Sequence, residues 1–344
     1  MSFCLLFGGL SWEHEISIVS AITIKNTLKQ EIKHFIFVDD NHQFYEVLEQ
    51  EMQADFFANK KYKNKKPLQL DFKGFYFSTF FTKKYLVFDT LINLVHGGDG
   101  EDGVLASLLD FYNIPFIGPR IEASVLSYNK YYTKLFAQAK NVKTLPFEIL
   151  TQKDSRKTSF NFPVIIKPAK LGSSIGIGIA TDSKSFDFVL DQAFEYDDIV
   201  LIEPFYKGIK EYNLAGCKIK DSFCLSIIEE PKKEDLLNFE DKYLDFSRDK
   251  KTTQAFITPQ LEQEMQENFK YIYENCFEGA LIRCDFFVHN DTLYLNEINP
   301  IPGSMANYLF DDFKTILQNL AQNLPAKKPI FIDYRYIKKI QKAK

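Results

Sequence analysis

The spacing of apolar and polar positions divides the chain into elements before any residue's chemistry is weighed. "SFCLLFGG", residues 2–9, is apolar without alternation and closes on two glycines, as a buried strand ending in a turn does. "SWEHEISIVSAITIKNTL", residues 11–28, changes to helical spacing. Ser11 is the expected N-cap, and Ile16, Val19, Ile24 and Leu28 lie on or near one face. "KHFIFVDD" reads as a second strand, so the chain opens with a β-α-β unit of a doubly wound sheet. A polar, lysine-rich insertion occupies 49–71. "YLVFDTLINLVHGGDGEDG" then carries a strand into a glycine- and acid-rich loop, and "VLASLLDFYNI" returns as a helix. The pattern breaks near "PFIGPR", which places a domain boundary around residue 118.

Residues 119–206 begin with one predicted helix, "SVLSYNKYYTKLFAQAK", followed by short strands at 163–168, 175–180 and 199–203. From 207 to 344 the pattern is α+β. It includes two alternating runs about a His-Asn-Asp turn, "ALIRCDFFVHNDTLYLNEINP". No internal repeat or low-complexity segment is present.

Composition narrows the class. At 344 residues the chain is long enough for two or three domains, and 45% hydrophobic with 26% charged residues is ordinary for a globular protein. A net charge of −4 gives no reason to expect a polyanionic partner such as nucleic acid, and the basic run at 59–67 reads as a solvated loop. Five cysteines without CxxC spacing argue for reduced thiols rather than a disulfide frame or a zinc site. The apolar start lacks a basic flank, Glu13 and Glu15 arrive early for a signal peptide, and no apolar run approaches the ~20 residues that span a bilayer. The expectation is a soluble cytoplasmic protein without a membrane partner.

"IIKPAKLGSSIGIGIA", residues 165–180, asks for a chemical explanation. A P-loop needs its lysine after the glycines at the start of a helix, and a Rossmann loop also runs from strand into helix. Here the lysine comes first and a strand follows. A hairpin whose Gly/Ser tip brings backbone N–H groups and hydroxyls to an anion fits, with Lys167 as a point charge for phosphate. A plain hairpin with an exposed lysine accounts for the same residues.

In 281–303, strand alternation puts Arg283 and Asp285 on one face of the first run and Glu297 and Asn299 on one face of the second. Folding the pair brings Asp285 near Glu297. Two such carboxylates and an amide suit Mg²⁺ completed by water and phosphate oxygens; an internal ion pair between Arg283 and a neighbouring acid is the alternative. The loop "HGGDGEDG", 96–103, lacks EF-hand spacing and lies where doubly wound sheets bind ligands, although a solvated turn reads the same way. Glu13 in a first helical turn is favoured by the helix dipole regardless of function. No G-x-S-x-G elbow supports Ser-His-Asp catalysis.

Eight segments in order, "GGLSWEHEIS", "HGGDGEDG", "LSYNKYYTK", "VIIKPAKLGSSIGI", "VLIEPF", "DKYLDF", "IRCDFF" and "NEINPIPG", resemble the ATP-grasp carboxylate–amine ligases, and within them the ligases that join D-alanine to D-alanine. The resemblance spans nearly the whole chain. It implies a doubly wound substrate-binding domain at 1–118, then a two-lobed ATP-grasp fold: a central lobe with a phosphate lid at 119–206 and a C-terminal lobe with metal and oxyanion sites at 207–344. It further implies ATP, two Mg²⁺ (with Mn²⁺ as a substitute), D-alanine as substrate and a homodimer. Lys130 and Lys167 would contact the nucleotide phosphates, with Ser174 in the lid and Lys242 near the γ-phosphate. Glu203 and the backbone of Pro204, Phe205 and Tyr206 would hold adenine, and Glu211 the ribose; between Gly208 and Glu211 this chain carries one residue more than the family pattern. Asp285, Glu297 and Asn299 would bind the metal ions.

On the substrate side, Glu13 would receive the first D-alanine's ammonium and His96 would sit beside its carboxylate. Ser173 and Tyr243 would join Glu13 in closing the loop, while Arg283 and the Gly303 N–H would face the oxyanion. Tyr308 stands where the family commonly has a serine near the second substrate. The implied chemistry is phosphoryl transfer to one D-alanine, then attack by the amine of the other on the D-alanyl phosphate, giving the dipeptide for peptidoglycan with ADP and phosphate. Three rivals fit the sequence less well. A D-alanine–D-lactate ligase commonly lacks the tyrosine at 243. A silent nucleotide-binding regulator has no need of Arg283, and a periplasmic-type amino-acid binder would require a signal peptide.

Overall fold

The computed structural model describes residues 1–231 and 254–342. The described strands form three sheets. The first holds β1 (Phe3–Gly8), β2 (Ile32–Val38), β3 (Phe44–Val47), β4 (Pro67–Asp71), β5 (Gly74–Ser78), β6 (Lys83–Tyr85), β7 (Thr90–Asn93) and β8 (Phe116–Ile117), in the order β6-β5-β4-β3-β2-β1-β7-β8. Its parallel part is β2-β1-β7-β8, where helix α1 (His14–Leu28) makes the crossover from β1 to β2. From β3 to β6 the pairing is antiparallel; the links into β3, β5 and β6 are turns of a few residues, too short to carry the chain back to the starting end.

The polar insertion is therefore more than a loop. It contains helix α2 (Ala54–Ala58), a 3₁₀ turn at Lys61–Asn64 and β4. Within the basic run, Tyr62 is buried, its ring 4.6 Å from that of Phe37 and 5.3 Å from that of Tyr45. One aromatic residue among lysines gave no periodic signal, yet it pins the segment to the core.

α1 starts at His14, three residues after the expected cap. Ser11 does not cap it. Its hydroxyl donates to the His96 carbonyl (2.7 Å) and accepts the Glu13 N–H (3.1 Å), tying the loop before α1 to the loop after β7. Ser17 does similar work deeper, accepting from Gly8 N (2.8 Å) and donating to the Leu94 carbonyl (2.6 Å). Helix α3 (Val104–Phe111) follows the acidic loop as expected.

The single helix predicted after residue 119 is two: α4 (Ile121–Tyr128) and α5 (Lys130–Ala139). Asn129 has extended backbone and accepts the Tyr131 N–H on its side chain (2.9 Å), so it acts as an N-cap inside an otherwise continuous helical pattern.

A second sheet, in the order β11-β10-β12-β9, comprises β9 (Glu148–Thr151), β10 (Val164–Pro168), β11 (Gly178–Ala180) and β12 (Ile199–Pro204), all antiparallel. β9 gave no alternation signal in the sequence. β11 is shorter than the run of isoleucines suggests, since Ile175 and Gly176 belong to the preceding turn, where Gly176 takes φ +70°. Helix α6 (Ser183–Phe194), capped by Asp182, buries Phe186, Val189, Leu190 and Ala193 on this sheet.

The third sheet holds β13 (Lys210–Ile219), β14 (Ser222–Glu229), β15 (Ile282–His289) and β16 (Thr292–Asn299) in the order β14-β13-β15-β16. Helix Pro259–Tyr273 buries Met265, Phe269, Ile272 and Tyr273 on it. Its apolar side merges with that of α1 and β1 into one core, so the first and third sheets are held together across their contact. All five cysteines are unpaired.

Candidate active site

The β15–β16 hairpin has the register that alternation implies: Arg283 opposite Asn299 and Asp285 opposite Glu297. Arg283 grips Asp285 through a fork, Nε to Oδ1 at 2.6 Å and Nη2 to Oδ2 at 2.8 Å, and Asn299 Nδ2 donates to the same Oδ2 at 3.0 Å. The ion pair considered from the sequence is thus present, and it leaves Nη1 outside the fork. Burial raises the Asp285 carboxyl against the pull of Arg283, and Glu297 pushes it further up. Asp285 also keeps Arg283 protonated despite burial.

Two carboxylates destabilising one another beside an amide oxygen form a hard-oxygen site suited to a divalent cation. Among the described residues no three His, Cys, Asp or Glu side chains are grouped for a metal. The remaining oxygens would have to come from a ligand or water, as for Mg²⁺ on phosphate.

Lys167 and Glu203 lie on the same face of the second sheet: Glu203 is opposite Ile165, two residues from Lys167. Their side chains meet at 2.7 Å. Lys134, one turn beyond Lys130 on α5, reaches the other carboxylate oxygen, making a buried Lys134–Glu203–Lys167 triad. Burial alone would raise Glu203, but Lys167 and then Lys134 outweigh it and hold the carboxyl down to about 2. Lys167 also donates to Asn296 Oδ1 of β16 at 3.2 Å, joining the second and third sheets. Lys130 donates to the Leu171 carbonyl, and burial lowers its pKa against the pull of Glu297. Sequence reading missed Lys134, although the i, i+4 spacing in "NKYYTK" was its signal.

The Phe205 N–H is taken by the Pro163 carbonyl (3.0 Å), and the Tyr206 ring stacks on His289 at 4.0 Å where β12 passes into β13. Glu211 lies opposite Phe287 on β13.

On the first sheet's side, Glu13 receives the Ser173 hydroxyl across 160 residues of sequence. The tip of that loop is tight: Ser173 and Ser174 take φ +56° and +59°, and a Cβ on Gly172 would stand 2.8 Å from Glu13 Oε1. Burial, then Glu101, raises the Glu13 carboxyl. His96 lies 2.9 Å from Ser20 Oγ, which also accepts the Ser304 N–H at 3.0 Å, linking the acidic loop to the turn after β16. In that turn Ser304, Met305 and Ala306 are successively left-handed (φ +49°, +52°, +49°), a conformation that costs L-residues on the order of 1–3 kcal/mol each. Packing against α1 and the Ser20 and Thr27 hydrogen bonds hold it. Gly303 opens this turn. Tyr308 closes it, its hydroxyl on Glu229 (3.3 Å) and pushed up to about 12 by burial. No glycine or motif announced three left-handed residues.

Of these groups Glu13 borders a cavity of about 550 Å³, lined further by Ser11, Trp12, Gly97 and Tyr128 on one side and Lys170, Leu171, Tyr196 and Asp197 on the other. Lys242 and Tyr243 lie outside the described residues.

Glu101 is a further group the sequence reading passed over within its quoted loop. Burial pushes it up to about 8, and burial drives His96, 3.5 Å away, down to about 4, so near neutrality the contact is mainly between uncharged groups. Between the ordinary carboxyl value of 4.5 and about 8 the native state binds the extra proton, so Glu101 makes stability fall as pH rises. His96 acts oppositely, from about 4 to its ordinary 6.5. Of this pair, only Glu101 acts above 6.5. The melting temperature is therefore expected to decline from pH 6.5 to 8 in the parent and to flatten in Glu101→Gln; equal slopes in a buffer-matched melting series would refute the assignment.

A first sheet with a parallel half, followed by two antiparallel sheets joined through buried lysines and carboxylates, is the ATP-grasp architecture. Residues 2–119 match the family described as D-ala D-ala ligase N-terminus and residues 136–314 the family described as D-ala D-ala ligase C-terminus. The chain belongs to the D-alanine–D-alanine ligase family. It is 56% identical to the D-alanine–D-alanine ligase of Helicobacter pylori (strain HPAG1), over all of both chains. It is 55% identical to that of Wolinella succinogenes, over all of this chain and 99% of the other. The crystal structure of the Helicobacter pylori ligase superposes with a TM-score of 0.86 at 54% identity, covering 95% of this chain and 100% of that one.

Proposed function

We propose that this protein joins two D-alanine molecules at the expense of ATP, giving D-alanyl-D-alanine for peptidoglycan with ADP and phosphate. The observation that carries the reading is that Glu13, which receives the Ser173 hydroxyl, and Glu297, paired with Asp285 of the Arg283 fork, both lie within electrostatic reach of Lys130, beside Lys167. The sheets are the basis for proposing three domains with boundaries near 118 and 206.

In this reading Lys130 and Lys167 neutralise the transferring phosphoryl group, and Lys134 holds Glu203 so that Lys167 keeps its aim. Glu203 with Pro204, Phe205 and Tyr206 borders adenine, Glu211 borders ribose, and Ser174 and Lys242 cover the phosphates. Asp285, Glu297 and Asn299 would hold Mg²⁺, which supplies charge neutralisation at the phosphates.

Glu13 takes the ammonium of the first D-alanine, whose charge offsets the burial and the Glu101 repulsion that raise this carboxyl, and His96 borders the carboxylate as a neutral ring. Arg283, through the nitrogen outside the Asp285 fork, and the Gly303 N–H stabilise the oxyanion when the second amine attacks the D-alanyl phosphate. Ser173 and Tyr243 close the Gly/Ser loop on Glu13, excluding the water that would hydrolyse that intermediate. Tyr308 borders the second D-alanine. A cytoplasmic homodimer belongs to the same proposal.

The test is ADP release with ATP and Mg²⁺ on adding D-alanine, L-alanine, or D-lactate with D-alanine. Release dependent on D-alanine, with the dipeptide as product, is expected. ATP binding without release on any of them would move the site to another acid–amine pair or to a silent nucleotide binder.

A further inference from the structure

Beyond the ligase core, residues 327–344 have a character of their own. Seven of the chain's 42 basic residues and one of its 46 acids lie there, a net charge of +6 that leaves −10 for the rest. The segment is tied to the body at its base, where Lys327 Nζ donates to the Asp110 carbonyl at 2.5 Å. Every described residue beyond that point is exposed. Ile330, Phe331 and Ile332 are 86%, 90% and 75% exposed, so three consecutive apolar side chains present surface on more than one side of the chain.

Helix Arg335–Lys342 follows. At about 100° per residue, Tyr336, Ile337 and Ile340 fall within one arc of roughly 100°, and Arg335, Lys338, Lys339 and Lys342 fall within the opposite one. All three apolar residues of the helix are exposed.

We propose that this segment binds the surface of an anionic lipid bilayer, with the helix lying in the headgroup plane. A basic face opposite an Ile/Tyr face, low overall hydrophobicity and aromatic residues at the boundary are what such a surface accommodates. The positive charge is complementary to acidic headgroups. The triplet at 330–332 favours a fluid interface over a rigid groove, because a groove covers one side of a chain and a bilayer surrounds it. Repulsion of the acidic body does not prevent this. The eight steps from Lys327 to Arg335 can span up to about 27 Å, roughly three times the ~8 Å screening length at physiological salt. Among the described residues no helix is long and apolar enough to cross a membrane, so the absence of a membrane partner expected from the apolar runs of the sequence is narrowed to the absence of a spanning helix.

The experiment is co-sedimentation of the full chain with vesicles of phosphatidylcholine, with and without phosphatidylglycerol, at low and high salt. The parent is expected to pellet with the anionic vesicles at low salt only. Ile337→Glu/Ile340→Glu and Lys338→Glu/Lys339→Glu/Lys342→Glu, all at exposed positions outside the cleft, should each weaken this about tenfold or more with ADP release unchanged. No pelleting of the parent, or pelleting indifferent to both variants, overturns the proposal. So does a change confined to the sedimentation coefficient of the free protein, which would mean that a second copy covers the helix.

Discussion

Glu297→Ala is expected to abolish ligation while the protein stays folded: D-alanine-dependent ADP release should drop by about 10³-fold or more, the scale on which electrostatic stabilisation of a transferring phosphoryl group operates. The carboxylate sits opposite Asp285 on β16, at the edge of the third sheet, where its removal opens no core cavity. Its electrostatic ledger is mixed. It pushes Asp285 up, which destabilises the native state, and it draws on Lys130 and Lys167, which stabilises it. Opposed effects of this kind leave stability within roughly 1 kcal/mol, or about 2–4 °C in melting temperature. Measured side by side, a near-normal melt with no turnover places Glu297 at the metal. Undiminished ADP release from a folded variant would remove the metal assignment for the whole Asp285–Glu297–Asn299 set.

Glu203→Ala should do the reverse and damage the fold first. It strands Lys134 and Lys167, both buried, without the carboxylate that neutralises them, and breaking such a pair costs about 3–5 kcal/mol. The parent carries an acid signature of the triad. Glu203 is held at about 2 in the native state against an ordinary 4.5, so its contribution is complete above 4.5 and is lost as pH falls toward 2. Urea unfolding across this range is expected to show a steep acid loss in the parent and a shallower one, from a lower plateau, in the variant. A variant with the parent's midpoint and acid profile would mean that another anion neutralises the lysines or that water solvates them.

The local patterns were legible where one period governs many residues. β1–α1–β2 and the β15–β16 hairpin follow from periods of 3.6 and 2, and the hairpin's alternation set Asp285 against Glu297 without reference to any other part of the chain. Where a single residue overrides its neighbourhood, periodicity misled. Asn129 breaks a helix that the apolar spacing carries straight through, Ser11 ties two loops instead of capping α1, and Tyr62 anchors a run that reads as solvated.

By itself, then, the sequence determined the β-α-β opening, the carboxylate-bearing hairpin, and the Gly/Ser loop behind a strand-end lysine. Each is a short-range consequence of side-chain size and alternation. Tertiary structure decided the rest. Glu13 meets Ser173 across 160 positions and Lys167 meets Asn296 across 129. The triad needs α5, which packs against β16 of the third sheet, to reach Glu203 on the second, and the left-handed turn at 304–306 exists because α1 supplies Ser20 and Thr27 to hold it. Such contacts depend on how sheets pack against one another. Burial, which turns a lysine, a glutamate or a histidine from a solvated charge into a group with a shifted proton affinity, is created only when they do.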